Sequence, residues 1–271
     1  MRKKLTYILY SLLLILCFFV GFIAQPSVRL AVPTSAADIS SVDSESKFHS
    51  MLDASVRVRT LTGSGSGVIL FSDYYGGDDS VYSYILTNQH VVRNYSTVSI
   101  EKFNYFGHRT VNSIESYEGK VIAKSSVYDL AVVEIKSSEE LPTAKWLPKV
   151  EYDKVLLSHP MHISACPLVN DPLVTSGRIA SLKDRTIKVT AFAVFGSSGG
   201  AAYTKDTKFL GLVKGIAKYV RSNISHAVPG IVDVIPVNVI AAWLKSRRLD
   251  FIFTKDVDKF NRLITSHRKS F

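Results

Sequence analysis

Between residues 55 and 236, hydrophobic side chains occur in short runs rich in β-branched and aromatic residues, separated by clusters of Gly, Asp, Asn and Ser. Such runs predict β-strands, because branched side chains fit the extended backbone and the polar clusters supply turns. The predicted strands are 55–59, 67–71, 84–87, 118–124, 130–135, 186–191 and 209–216. Strands do not alternate with helices, so the pattern favours an all-β fold, an antiparallel barrel or sandwich. The polar stretch 73–83 predicts a hairpin loop between two strands.

The first helical periodicity comes late in the chain. In 237–248, Val237, Ile240, Ala241 and Leu244 follow the i, i+3, i+4, i+7 spacing of one buried helix face. A weaker repeat over 256–267 predicts a second helix, within a basic C-terminal tail at 249–271. The expected arrangement is one β-rich domain at 48–248 that ends in a helix, followed by this tail.

The N-terminus carries a long apolar segment. Arg2, Lys3 and Lys4 precede residues 5–24, which contain no charge and are rich in Leu, Ile and Phe. As a helix, this segment spans about 30 Å, the thickness of a bilayer's hydrocarbon core. A cleaved signal peptide is the alternative, with a candidate site at 35–37, but its apolar region is normally shorter. The sequence favours a transmembrane anchor at 1–24 and a tether at 25–47.

The flanking charges predict the orientation of this anchor. Basic residues before an apolar segment stay in the cytoplasm, so the domain should lie outside the cytoplasm, or be secreted if the segment is cleaved. The formal net charge of +10 is concentrated at the chain ends, with +4 in residues 1–30 and +5 in residues 245–271. The nearly neutral middle argues against a nucleic-acid groove, which needs clustered Lys and Arg.

Two cysteines, Cys17 and Cys166, exclude a disulfide within the predicted domain. About 200 residues can bury a sufficient core without one. His159 and His162 lie near Cys166, but no second cluster has metal-ligand spacing, so they are interpreted as loop residues. No metal or cofactor is predicted.

Three segments carry residues suited to amide hydrolysis. Gly196-Ser197-Ser198-Gly199-Gly200 flanks a serine with residues that allow a tight turn, and the amides of Gly196 and Ser198 can converge on one oxygen. A strand at 84–87 leads to His90, and Asp129 directly precedes the strand at 130–135. Taken singly, these residues are typical of a loop, a structural histidine and a turn aspartate.

Together with Gly63-Ser64-Gly65-Ser66-Gly67-Val68-Ile69, the three segments resemble the trypsin-like serine proteases, especially the HtrA/Deg branch. In that family a Gly-Ser-Gly strand, a Leu-Thr-Asn-x-His-Val segment, an Asp-Leu-Ala-Val segment and Gly-x-Ser-Gly-Gly follow in this order. The present chain has the same order. The resemblance continues through 175–179, 211–216 and 234–236, and covers roughly 55–244.

The resemblance implies a catalytic triad and a fold. Ser198 would attack the scissile carbonyl, His90 would act as general base and then acid, and Asp129 would fix the His90 tautomer. The amides of Gly196 and Ser198 would form the oxyanion hole. The implied fold is two antiparallel six-stranded barrels with the site between them. Substrate would pair with an edge at Gly215, Ile216 and Ala217, as an added strand.

Several positions depart from the family pattern. Ser197 replaces the aspartate that pairs with a new N-terminus in trypsin-like digestive enzymes, which disfavours activation by N-terminal cleavage. Phe192 stands where a carboxylate would select Lys or Arg, so a small or medium apolar residue is expected at the cleavage site. Too few residues follow 248 for a peptide-binding PDZ domain, so regulation by one is not expected unless a partner supplies it.

Two other functions compete with a serine endopeptidase that acts on proteins and peptides. One is a catalytically silent two-barrel scaffold that binds peptides. The other is a membrane-surface protein whose tail meets anionic lipid. The basic residues available for lipid contact are Arg247, Arg248, Lys255, Lys259, Arg262, Arg268 and Lys269.

Overall fold

The computed structural model describes residues 47–75, 80–106, 110–221 and 224–268. The predicted anchor at 1–24 and the tether at 25–47, except Lys47, lie outside these residues. Within the described ranges, no helix is both long and apolar enough to cross a membrane.

Strands dominate the described chain. They are β1 (Ser55–Arg59), β2 (Ser64–Tyr75), β3 (Ser80–Thr87), β4 (Thr97–Phe106), β5 (Thr110–Ser125), β6 (Leu130–Ser137), β7 (Lys145–Trp146), β8 (Pro160–Ala165), β9 (Leu173–Lys183), β10 (Thr186–Val189), β11 (Ala201–Thr204), β12 (Lys208–Arg221) and β13 (Ile224–Pro236). The helices are α1 (47–53), α2 (Lys149–Tyr152), α3 (Val237–Ser246), α4 (Phe251–Thr254) and α5 (Val257–Arg268), with a 3-10 turn at Pro167–Val169.

The first barrel is closed and six-stranded, in the order β1-β2-β3-β6-β5-β4, with β4 pairing back to β1. All of its pairs are antiparallel. Alternate side chains point inward, as the period of two in a strand requires. Its interior holds Val56, Val58, Ile69, Ile85 and Val133, all fully buried.

The second barrel is formed by β8, β9, β10, β13, β12 and β11, in that order, and the β11–β12 pairing closes it. A seventh strand, β7, pairs with β12 in parallel and lies outside the ring. The two six-stranded antiparallel barrels confirm the two-barrel part of the predicted fold, and β7 is an addition that the pattern did not predict.

Six of the seven predicted strands lie within observed ones, and the strand predicted at 186–191 is observed only to Val189. The predicted loop at 73–83 is wrong at both ends. Strand β2 continues to Tyr75 and β3 starts at Ser80, with Asp73 opposite Tyr82 and Tyr74 opposite Val81. Val81 and Tyr82 are buried, so burying these β-prone residues outweighs the local loop preference of Asp and Gly.

The C-terminal helices cover one outer face of the first barrel. Phe71 and Tyr84 point out of the barrel, and the Phe251 ring of α4 contacts both, at centroid distances of 5.2 and 5.0 Å. Phe260 of α5 lies 5.1 Å from Phe71. This cover explains why β3 is buried on both faces. Of the tail cations, Lys259 pairs with Asp250 at 2.6 Å and is thus engaged within the protein.

Lys255, between α4 and α5, fastens these helices to the barrel. Its Nζ donates to the Leu70 carbonyl at 2.5 Å and lies 5.3 Å from the centre of the Phe71 ring. The residue keeps exposed surface, but burial of the ammonium lowers its pKa to about 8, against a smaller opposing effect of Asp73. Keeping the Lys255 ammonium charged in the folded protein therefore costs free energy, because the buried group loses part of its solvation.

This burial predicts a pH-dependent stability. From pH 8 to 10.5, the unfolded Lys255 holds a proton that the folded one lacks, so its contribution to the free energy of unfolding should rise with pH. Below pH 8 both states are charged and the contribution is flat. Urea unfolding of the wild type and Lys255→Met at several pH values checks this prediction. The difference in stability between the two proteins reports on Lys255, because the buried tyrosines affect both proteins alike. A stability difference that stays constant from pH 7 to 10 would contradict the prediction.

Candidate active site

His90 and Asp129 are in contact in the first barrel. His90 Nδ1 lies 3.0 and 2.9 Å from the two carboxylate oxygens of Asp129, and the His90 amide donates to Oδ1 at 3.0 Å. The carboxylate is largely buried, with 13% of the side chain exposed, whereas the His90 side chain is 39% exposed. Two hydrogen bonds to one carboxylate orient the imidazole, and its other nitrogen is left to act on a neighbour.

The chain places Asp129 by means of an unusual backbone conformation. Its φ of 56° lies in the left-handed region, which Asp and Asn tolerate better than most residues. Asn88 donates from Nδ2 to the Asp129 carbonyl at 2.9 Å, which ties the turn before β6 to the end of β3. The pairing of β3 with β6 thus brings together residues that are 39 positions apart.

The loop between β10 and β11 presents Ser198 on a tight turn. Gly196 and Gly199 have φ values of 91° and 88°, and a Cβ on Gly199 would lie 2.0 Å from the Ser66 carbonyl oxygen. Only glycine fits at that position. Among the hydrogen bonds of the described residues, none is donated by the amide of Gly196 or Ser198. The Ser198 hydroxyl donates to the Lys214 carbonyl at 3.2 Å.

Ser66 of β2 joins the two barrels at this loop. The residue is fully buried; its amide donates to the Ser198 carbonyl at 2.8 Å, and its hydroxyl donates to the Gly196 carbonyl at 2.7 Å. The hydroxyl also accepts from the Cys166 amide at 2.8 Å, and Thr87 donates to the Ser66 carbonyl at 2.7 Å. Ser66 belongs to the Gly63-Ser64-Gly65-Ser66-Gly67 motif, but the sequence predicts no positioning role for it.

Cys166 is not a competing nucleophile. Burial raises the pKa of its thiol to about 12, and Arg57 and the hydrogen bond to Ser66 only partly oppose this effect. The thiolate is the reactive form of cysteine, so an inaccessible thiol with this pKa is inert near neutral pH.

Arg57 of β1 holds the turn at Pro167–Val169, beside the loop that carries Ser198. Its buried guanidinium pairs with Glu101 and donates to the Val169 carbonyl at 2.6 Å. Leu168 and Val169 have φ values of 52° and 65°, an uncommon and strained conformation for such side chains. The Leu168 amide donates to the Phe195 carbonyl at 2.8 Å. Because a trans peptide points its N–H away from its C=O, this bond directs the Gly196 amide to the opposite side. The periodicity of β1 does not predict that Arg57 holds this turn.

His90 and Ser198 line one hollow of about 410 Å³, together with Gly196. The residues predicted to bind substrate differ in their burial and in what they contact. A Cβ on Gly215 would lie 3.8 Å from Ser198 Oγ, and β12 pairs with β13 through Gly215 and Ile216. Ala217 is buried, whereas Phe192 is 59% exposed and its carbonyl accepts a hydrogen bond from Thr175.

Of the two histidines interpreted as loop residues, His159 lies in a loop, as predicted, whereas the prediction is wrong for His162. His162 lies in β8, because Ile163 and Met161 on either side are buried in the barrel. Its Nδ1 lies 2.9 Å from Ser176 Oγ, and burial lowers its pKa. His159 precedes β8 and accepts from the Leu156 amide at 3.2 Å. Among the described residues, no three His, Cys, Asp or Glu side chains are grouped to hold a metal ion.

Comparison with known proteins gives matches over the same region. The protein-family model of the trypsin-like peptidase domain matches residues 65–212, more than half of the chain. Proteins named "Serine protease HtrA-like" from Staphylococcus aureus strains USA300, NCTC 8325 / PS 47 and N315 are 29% identical over 184 residues. The match covers 61% of this chain and 22% of each relative, so the chain spans about a fifth of their length. The family match, on a fold of two six-stranded barrels, shows that the chain belongs to the trypsin-like peptidase family.

Proposed function

We propose that the protein is a serine endopeptidase in which Ser198, His90 and Asp129 form the catalytic triad. One observation carries the proposal. The imidazole bound to Asp129 and the hydroxyl of Ser198 line the same hollow, beside two backbone amides that donate to no group of the described chain. Nucleophile, base, orienting carboxylate and oxyanion donors are the parts that acyl transfer needs.

Acylation begins with the hydroxyl of Ser198. It rotates from the Lys214 carbonyl toward Nε2 of His90 and attacks the scissile carbonyl carbon, while its proton passes to Nε2. The amides of Gly196 and Ser198 donate to the oxyanion of the tetrahedral intermediate. Asp129 accepts from Nδ1, which keeps Nε2 free to take the proton and stabilises the imidazolium that forms.

The intermediate collapses when the C–N bond breaks and the imidazolium gives its proton to the leaving amine. An ester between the substrate's acyl group and Ser198 Oγ remains. Water then attacks this ester, with His90 taking the proton from water and returning it to Oγ. The products are a free carboxylic acid and the original serine.

Substrate binding is proposed on the edge of β12. Gly215 and Ile216 pair with β13 on one side, and Ala217 follows at a shift in the register. An extended peptide can pair with the other side of this edge. Phe192 does not form the base of a closed pocket, since the residue is 59% exposed. We propose a small or medium apolar residue on the acyl side of the scissile bond.

A fluorophosphonate reagent tests the proposed function. The reagent forms an ester with an activated serine and releases fluoride. We expect it to label the tryptic peptide that contains Ser198 and to stop the protein from cleaving an unfolded substrate. Protein denatured before labelling is the control, because its Ser198 is not activated. If the protein neither cleaves the unfolded substrate nor forms an adduct at Ser198, the proposal is contradicted and the silent peptide-binding scaffold is favoured.

We also propose that the domain works outside the cytoplasm, anchored by residues 5–24. The support is the uncharged segment of bilayer length behind Arg2, Lys3 and Lys4. Alkaline carbonate extraction should leave the chain in the membrane pellet. Release into the supernatant would contradict an anchor and favour a cleaved signal peptide.

A further inference from the structure

The hollow beside Ser198 lies on the leaving-group side of the scissile bond, if the proposed function holds. It is lined by parts of the segments 60–64, 90–95 and 195–198, and by none of Gly215, Ile216 and Ala217. The proposed acyl part of a substrate follows that edge of β12. Residues after the scissile bond must then leave Ser198 on the other side, over this hollow of about 410 Å³.

The lining of this hollow is cationic. Arg93 is the one permanently charged side chain among the described residues that line it, and none of those residues is a carboxylate. Arg93 is exposed and takes part in no ion pair within the described ranges. Lys124 donates from Nζ to the Arg93 carbonyl at 3.1 Å, which brings a second positive charge close.

The nearby carboxylates do not neutralise this charge. Asp129 is bound to His90, and Glu101 is paired with both Arg57 and Arg59. Glu118 lines a second hollow, which shares Thr60 and Tyr95 with the first and also contains Arg59. The side chains that line the hollow beside Ser198 therefore include one permanent positive charge and no carboxylate, whereas those of the second hollow carry both signs.

The wall of the hollow also contains hydroxyl groups that are held in place, beside the apolar Val91 and Phe195. Thr62 and Tyr95 are hydrogen-bonded through their hydroxyls at 2.8 Å, and Thr60 donates to the Gly63 carbonyl at 3.0 Å. The hydrogen bond between Thr62 and Tyr95 uses one of their two hydroxyl protons. The other can donate to an oxygen of a solvated carboxylate, which an apolar side chain could not accept.

We infer that this hollow is a subsite for an acidic residue among the first three positions after the scissile bond, and that Arg93 is the specificity-determining residue. The guanidinium is exposed and screened by water, so its effect is moderate. We expect a preference for Glu over Gln of about five-fold in kcat/KM at low salt, the upper range for an exposed ion pair. The preference should shrink as ionic strength rises.

Internally quenched peptides test the inference. A site cleaved rapidly in an unfolded substrate is resynthesised with Glu, Gln or Lys at each of the first three positions after the cut. Wild type should cleave the Glu peptide fastest and the Lys peptide slowest at one of these positions. Arg93→Glu should reverse that order, whereas Arg185→Glu should not. Arg185 is an exposed arginine in the turn between β9 and β10, so its variant matches the change in net charge.

The failures of the two proposals are distinguishable. Equal kcat/KM values for Glu, Gln and Lys peptides, or an order unchanged in Arg93→Glu, would overturn the subsite and leave the peptidase intact. If no peptide and no unfolded protein is hydrolysed, the proposed function fails, and the subsite that rests on it fails as well.

Discussion

Replacing Ser198 by alanine is expected to lower kcat for peptide hydrolysis by about 10⁶-fold, the size of effect that loss of a triad serine produces. In the loop between β10 and β11, the Ser198 hydroxyl is the only group that lines the hollow with His90 and can form the acyl ester. Alanine removes one oxygen at a partly exposed position and keeps the backbone turn. The free energy of unfolding should therefore change little.

Ser197→Ala is the matched control, one position earlier in the same loop. Ser197 is buried, and its Oγ accepts a hydrogen bond from the Val194 amide at 3.2 Å. Losing that bond should loosen the loop and lower kcat by about ten-fold or less, since one neutral hydrogen bond contributes about 1 kcal/mol. Rates come from an internally quenched peptide, with folding checked by circular dichroism. A Ser198→Ala protein within ten-fold of wild type would show that another group is the nucleophile.

Replacing Asp129 by asparagine is expected to lower kcat by about 10⁴-fold. Asparagine tolerates the left-handed φ of 56° at this position, so the backbone turn should remain. An amide oxygen can still accept from the His90 amide, which turns the NH₂ group toward Nδ1. Nδ1 must then accept, so the proton moves to Nε2, and Nε2 can no longer take the proton of Ser198.

This variant separates the role of charge and tautomer from a packing effect. The melting temperature of Asp129→Asn should stay close to that of wild type, and fluorophosphonate labelling of Ser198 should become slow in parallel with kcat. Asp184→Asn, in the exposed turn between β9 and β10, is the control for loss of one negative charge and should keep full activity. If Asp129→Asn retains more than a tenth of wild-type kcat, Asp129 does not orient the base.

The strands could be predicted from the sequence because their signal is local. In β1, Val56 and Val58 alternate with Arg57 and Arg59, and the predicted bounds of 55–59 are the observed ones. Strand β7 shows the limit of that signal. Two residues contain no period, and Lys145 and Trp146 become a strand only because they pair with Lys208 and Phe209 in the second barrel.

For the candidate site, the sequence by itself determined the residue types, their order along the chain and the glycines that a tight turn around Ser198 needs. Tertiary structure alone decided which groups meet. Ser66 bonds Gly196 across 130 positions, and Arg57 bonds Val169 across 112. Neither residue stands out locally, because a serine or an arginine in a strand is an ordinary polar residue until a distant segment reaches it. Barrel closure brings such segments together, and hydrogen bonds between them leave no periodic signal in the sequence. The contact of His90 with Asp129 and the cationic hollow beside Ser198 likewise arise only when the strands pair.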